Sequence, residues 1–168
     1  VDEPVLQETK PPAAEDTVNT ATVDAAAKRI VGNEKVPDVA VADGAQATAK
    51  IKITAWNNLI VSSVEGMEAL EPTIKEYEQA SSISQSQWEQ LNNDFLTIIA
   101  AYNARVTTLR DEGQAAVESI TNPATKERYI QVFNLTSRNT TNFLTFGRQY
   151  RKRIKDLASK IATAGEQL

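Results

Sequence analysis

From about residue 46 onward, apolar residues recur every three or four positions, the signature of helices that bury one face. The first stripe reads Ile53, Trp56, Ile60, Val64, Met67, Leu70, Ile74 and Tyr77 and predicts a helix over 46–79. Pro72 falls inside it. Its ring removes one donor and opposes the preceding turn, so a kink or break is expected near Leu70. The second stripe reads Trp88, Leu91, Phe95, Ile98, Tyr102, Val106, Leu109, Ala116 and Ile120 and predicts a helix over 85–120. The third, Tyr129, Phe133, Thr136, Thr140, Phe143, Gly147, Tyr150, Ile154, Leu157, Ile161 and Ala164, predicts a helix over 123–164. Gly113 and Gly147 sit on these stripes, where close approach of two helices offsets their cost of about 1 kcal/mol relative to Ala.

The joints carry matching chemistry. Ser81 to Ser86 is a polar connector in which Ser84 with Gln87, or Ser86 with Glu89, fits a capping box. At Asn122-Pro123 the Asn can cap while the Pro presets the first helical φ. Rods of roughly 35 to 45 residues, or about 50 to 65 Å, joined by short connectors imply antiparallel neighbours. The fold expected is therefore all-α: an elongated antiparallel three-helix bundle over 45–168.

The pattern fails before that. Residues 1–44 hold four of the six prolines, no aromatic residue, and nine acids against four bases. Such a segment buries too little apolar surface to offset the entropy of ordering it, so a flexible acidic arm is expected. One exception lies at 22–31, where Val23, Ala26, Ala27, Ile30 and Val31 fall at helical spacing before Gly32. If that short helix docks, the bundle has four.

Composition removes whole classes of chemistry. Among 168 residues there is no Cys and no His, which excludes disulfides, thiolate chemistry, Cys/His zinc sites and imidazole catalysis. No apolar run reaches the ~20 residues of a membrane span. The six glycines are scattered, so no phosphate loop exists, and neither a Gly-x-Ser-x-Gly nor a Ser-x-x-Lys unit occurs. No cofactor, metal site or catalytic residue is expected, and the chain reads as a non-enzyme. Glu65, Glu68 and Glu71 share a face, but dimetal bundles need a Glu-x-x-His, so a solvated face is the expectation. Asn134-Leu135-Thr136 and Asn139-Thr140-Thr141 match the glycosylation pattern within a predicted helix. This Asn/Thr band reads either as a polar layer inside the bundle or as a partner surface.

Charge adds the one functional clue. Ala45 to Ile120 carries ten acids and five bases, whereas Thr121 onward carries nine bases and three acids. Arg148, Arg151, Lys152 and Lys155 recur at steps of three and four and form a candidate anion or partner patch. The competing reading is internal: in an up-down-up bundle the acidic end of the first helix, Glu65 to Glu78, lies beside the basic end of the third. A net charge of −4 disfavours nucleic acid as the partner. The expected partner is another protein, with anionic lipid or an acidic wall polymer as further candidates and the oligomeric state open.

The chain opens on Val1 rather than Met, which points to processing or trimming of a longer chain. Together these features suggest a binding or assembly module of the cell envelope or exterior, a bundle tethered by its arm, extracytoplasmic like a secreted protein or lipoprotein. The alternative is a structural subunit of a larger particle (virion, filament or secretion apparatus) whose arm orders on assembly.

Overall fold

The computed structural model describes residues 44–162. The arm, the short helix expected at 22–31 and the last residues of the third predicted helix lie outside them. Four α-helices follow in order: α1 (Gly44–Glu68), α2 (Glu71–Gln79), α3 (Gln85–Glu118) and α4 (Pro123–Leu157), then a 3-10 turn at Ala158–Lys160. The protein is an all-α bundle of three rods, because α1 and α2 together form the first.

The break between α1 and α2 falls where Pro72 requires it. Leu70 precedes the first residue of α2 and Pro72 occupies its opening turn, where a missing N–H costs no helical bond. Ser84 starts α3 with a complete capping box: its hydroxyl accepts from Gln87 N at 3.0 Å, and the Gln87 side chain accepts from Ser84 N at 2.8 Å. Asn122 Oδ1 accepts from Thr125 N at 2.9 Å and Pro123 opens α4. Of the two serines compatible with a cap in the first connector, Ser84 is the one used.

The register of the rods follows from who touches whom. On α3, Gly113 faces Ile53 of α1, and Ile98 faces Gly66, so α1 and α3 run antiparallel. Trp56 meets Thr140 and Met67 meets Gly147, so α1 and α4 run parallel. Trp88, in the first turn of α3, donates to the Ile154 carbonyl near the end of α4 at 2.8 Å. Both striped glycines lie at helix contacts: a Cβ on Gly147 would stand 3.4 Å from Met67 Cε, and one on Gly113 would stand 3.5 Å from Ile53 Cγ1. The tightest approach is at Gly66, where a Cβ would stand 3.2 Å from Ile98 Cδ1.

The stripes are the core. Trp56, Ile60, Val64 and Met67 of α1, Phe95, Tyr102 and Val106 of α3, and Phe143, Tyr150 and Ile154 of α4 are all buried in one large cluster. Tyr102 and Phe143 bring their ring centroids to 4.5 Å across α3 and α4. A second, smaller cluster of Ala49, Ile53, Ala116, Val117, Ile120, Tyr129 and Val132 fills the end where α1 begins.

The Asn/Thr band lies inside. Thr136, Asn139 and Thr140 are no more than 3% exposed, and Asn142 is buried beside them. Thr136 Oγ1 donates to the Val132 carbonyl at 2.9 Å and Thr140 Oγ1 to the Thr136 carbonyl at 3.0 Å, each bonding back four residues on its own helix. Thr140 Oγ1 in turn accepts from Trp56 Nε1 at 3.0 Å. This layer gives the largest buried side chain of α1 one polar partner on α4, which fixes the two rods in register.

The third rod is shorter than its periodicity predicts. After Leu157 the helix tightens into the 3-10 turn, and Ile161 is extended. Ile83 N donates to the Lys160 carbonyl at 3.0 Å and Ala162 N donates to the Ile83 carbonyl at 3.0 Å, a single parallel bridge. Ile161 thus keeps its apolar contact with the core, but as part of a clamp on the first connector. Its helical spacing from Leu157 was compatible with both arrangements.

Candidate functional site

The charge blocks meet where the parallel alignment of the first and third rods places them. Arg153, the cation at the centre, is not one of the four patch residues. Its Nη1 and Nη2 donate to the two carboxylate oxygens of Glu71 at 2.8 and 2.9 Å. Its Nε and Nη2 donate to the two oxygens of Glu78 at 2.9 Å each. One guanidinium therefore makes two forked pairs, a geometry Lys cannot supply. The Arg153 Cζ also lies 5.6 Å from the centroid of the Tyr150 ring.

Tyr150 closes the network by donating its hydroxyl to Glu71 Oε1 at 2.7 Å. Burial alone would push the Glu71 carboxyl up. The hydrogen bonds from Arg153 and Tyr150, with the charges of Arg153 and Lys75, outweigh burial and hold it below the ordinary carboxylate value. Burial, and then the adjacent Glu71 carboxylate, push the Tyr150 hydroxyl well above its usual range. Arg153 is pushed further up, first by its hydrogen bonds to Glu78.

Lys160 completes this end. Its ammonium donates to the carbonyls of Tyr77, Glu78 and Ala80, the last at 2.8 Å. Those carbonyls lie at the C-terminus of α2 and its cap, where the helix macrodipole favours a cation. The internal reading of the charge segregation thus holds for Arg153, whereas Lys160 binds backbone carbonyls and not acids.

The four patch residues lie elsewhere on α4. At 3.6 residues per turn, Arg148, Arg151, Lys152 and Lys155 share a stripe centred about 150° around the helix from Arg153. Lys152 and Lys155 are exposed, and Arg148 and Arg151 are half-buried. Lys152 pairs with Asp156 at 2.8 Å, both side chains remaining mostly in solvent. Arg148 and Arg151 each engage a partner of their own. All four, with Asp156, border one shallow recess of about 360 Å³. The structure therefore brings the sequence-predicted residues together on one face, and that face is not where Glu71 and Glu78 are bound. The sequence placed Arg153 in the same basic block but gave no reason to single it out, because the pairing depends on rotation about α4.

The remaining candidates resolve plainly. The carboxylate trio does not form the solvated face expected of it: Glu65 is exposed, but Glu68 is only 6% exposed and Glu71 is drawn into the Arg153 network. The break before α2 re-aims Glu71, which straight-helix spacing does not anticipate. Among the described residues, no group of three or more His, Cys, Asp or Glu is placed to hold a metal ion. Asn134 is exposed, but its sequon partner Thr136 is fully buried, and Asn139 is itself buried, so neither pattern presents an accessible acceptor unit in the folded bundle. No described helix is long and apolar enough to cross a membrane.

No protein-family model, curated protein or solved structure matches the chain.

Proposed function

We propose that this chain is a non-enzymatic binding or assembly module, exported to the cell envelope or exterior, in which the basic face of α4 engages an acidic partner protein. One observation carries the reading: Arg153 is paired internally with Glu71 and Glu78, while Arg148, Arg151, Lys152 and Lys155 gather on a separate face with two exposed ammonium groups. A rigid helix presenting like charges at steps of three and four steers and orients an acidic partner more than it adds raw affinity.

The test is binding of a labelled poly-glutamate peptide to the full chain, followed by anisotropy. Binding should be measurable at low ionic strength, weaken steeply as the Debye length shrinks, and vanish in an R151E/K155E variant that keeps its helical circular dichroism. Absence of binding at low salt rejects the reading. Anionic vesicles and an acidic wall polymer serve as competing probes, and preference for either would move the partner away from protein. A large, defined assembly in light scattering of the purified chain would favour the structural-subunit reading.

A further inference from the structure

We infer that the acidic N-terminal segment 1–16 of this same chain docks on the α4 basic face and competes there with any acidic partner. The inference rests on the reading of that face as an anion-binding surface, and it assigns that surface a built-in regulator.

Charge complementarity is the first support. Residues 1–16 hold Asp2, Glu3, Glu8, Glu15 and Asp16 against Lys10 alone, a net charge of −4 opposite a face that carries four cations beside Asp156. The bases of the arm, Lys28, Arg29 and Lys35, all lie closer to the bundle and outside this segment.

Reach is the second. The arm joins the bundle at Gly44, the start of α1. The basic face lies level with the other end of α1, because Gly147 abuts Met67 and Arg153 binds Glu71. The separation is therefore about 36 Å, the rise of α1 from Gly44 to Glu68. The 28 to 42 residues that separate Asp16 and Asp2 from Gly44 bound the reach at about 90 to 140 Å, the length of a fully extended chain. The acids of segment 1–16 can therefore reach the basic face. Those nearer the bundle, Asp38 and Asp43, are too short-tethered to arrive.

Tethering makes a weak contact count. An effective concentration in the mM range against a site of about 0.1 mM intrinsic affinity gives competition on the order of tenfold. An acidic partner must then displace the arm, and salt or neutralisation of the arm opens the face.

Two readouts on the full chain test this. In the first, the five acids are neutralised together (D2N, E3Q, E8Q, E15Q, D16N) and poly-glutamate binding is compared with the unaltered chain. The neutralised chain should bind about tenfold tighter at low salt, and the two should converge at high salt. In the second, the absence of native cysteine allows V5C and S159C to carry a pair of spin labels. Their distance distribution should include a short component at low salt that high salt and the five neutralising substitutions both remove. If neither substitutions nor salt alter the distances, and the peptide affinity is unchanged, the inference is overturned. If the distances respond while poly-glutamate binds neither chain, the arm contact stands and the acidic-partner reading fails.

Discussion

The two ends of the bundle are held together by different physics. At the end where α1 begins, Ala49, Ile53, Ala116, Val117, Ile120, Tyr129 and Val132 pack in an apolar cluster. An ion pair there, Lys52 with Glu112 at 2.8 Å, is partly exposed and adds little. At the other end, α2, the first connector and the segment after α4 are fastened by Arg153, Lys160, Tyr150 and a two-bond bridge. The apolar end depends on area removed from water, which pH does not change and charge screening does not weaken. The polar end depends on the protonation of Glu71 and on directional bonds. Identical helices can therefore loosen at one end under conditions that leave the other intact.

The largest expected effect lies at the apolar end. Ile53 is fully buried and fills the space opposite Gly113. Ile53→Ala should cost about 2–5 kcal/mol, the range for truncating a core aliphatic side chain. Urea unfolding should show that loss unchanged between pH 4 and 7 and between low and high salt. A loss that shrinks with salt would break the proposed contrast.

Arg153→Met comes next. It leaves Glu71 and Glu78 without their forked donor, while Met retains much of the aliphatic packing. Two charge-assisted hydrogen-bond pairs, partly screened by solvent, suggest about 2–3 kcal/mol at neutral pH. The sign with pH is fixed by the Glu71 carboxyl being held below its ordinary value of 4.5. Its contribution is fully present above that value and is lost as pH falls through the lower folded value. The penalty of Arg153→Met should therefore fade as the pH falls below 4.5 and the carboxylate takes up its proton. A penalty that stays constant down to pH 3 would show that Arg153 acts by packing alone. Glu71→Gln with Arg153→Met should cost less than the two single changes added together.

How far this contrast was legible in the sequence differs between its halves. Stripes at three and four, Pro72, the Ser84 cap and Asn122-Pro123 are all local signals, and each yielded the element or joint it encodes. The parallel placement of acidic and basic blocks followed from topology alone. What escaped were features decided by rotation about a helix or by a neighbour's backbone. Val132, Phe146 and Ile99 widen the buried face beyond a single stripe, because each helix packs against two others. Arg153 differs from Arg151 only in azimuth, and the break before α2 determines which azimuth meets Glu71. The clamp at Ile83 was hidden for the opposite reason: Ile161 continues the helical spacing, so nothing local distinguishes a last turn from an extended bridge. The candidate patch was legible as a grouping, but its separation from the internal pairs required the third dimension.

The smallest effect tests the clamp itself. Lys160→Met removes the ammonium from three carbonyls at the end of α2 while leaving the backbone bonds of Ile83 in place. Those carbonyls lie near the surface and water can replace the lost donor, so the global cost should be about 1 kcal/mol or less. The local consequence should be larger than the global one. Ile83 N and Ala162 N donate in the bridge that Lys160 helps to position, and their hydrogen exchange should accelerate well before global unfolding. Amides around Ala49 and Ile53, at the apolar end, should keep their protection. Equal acceleration at both ends would mean that the bundle opens as a single unit, and that its two kinds of fastening do not divide it.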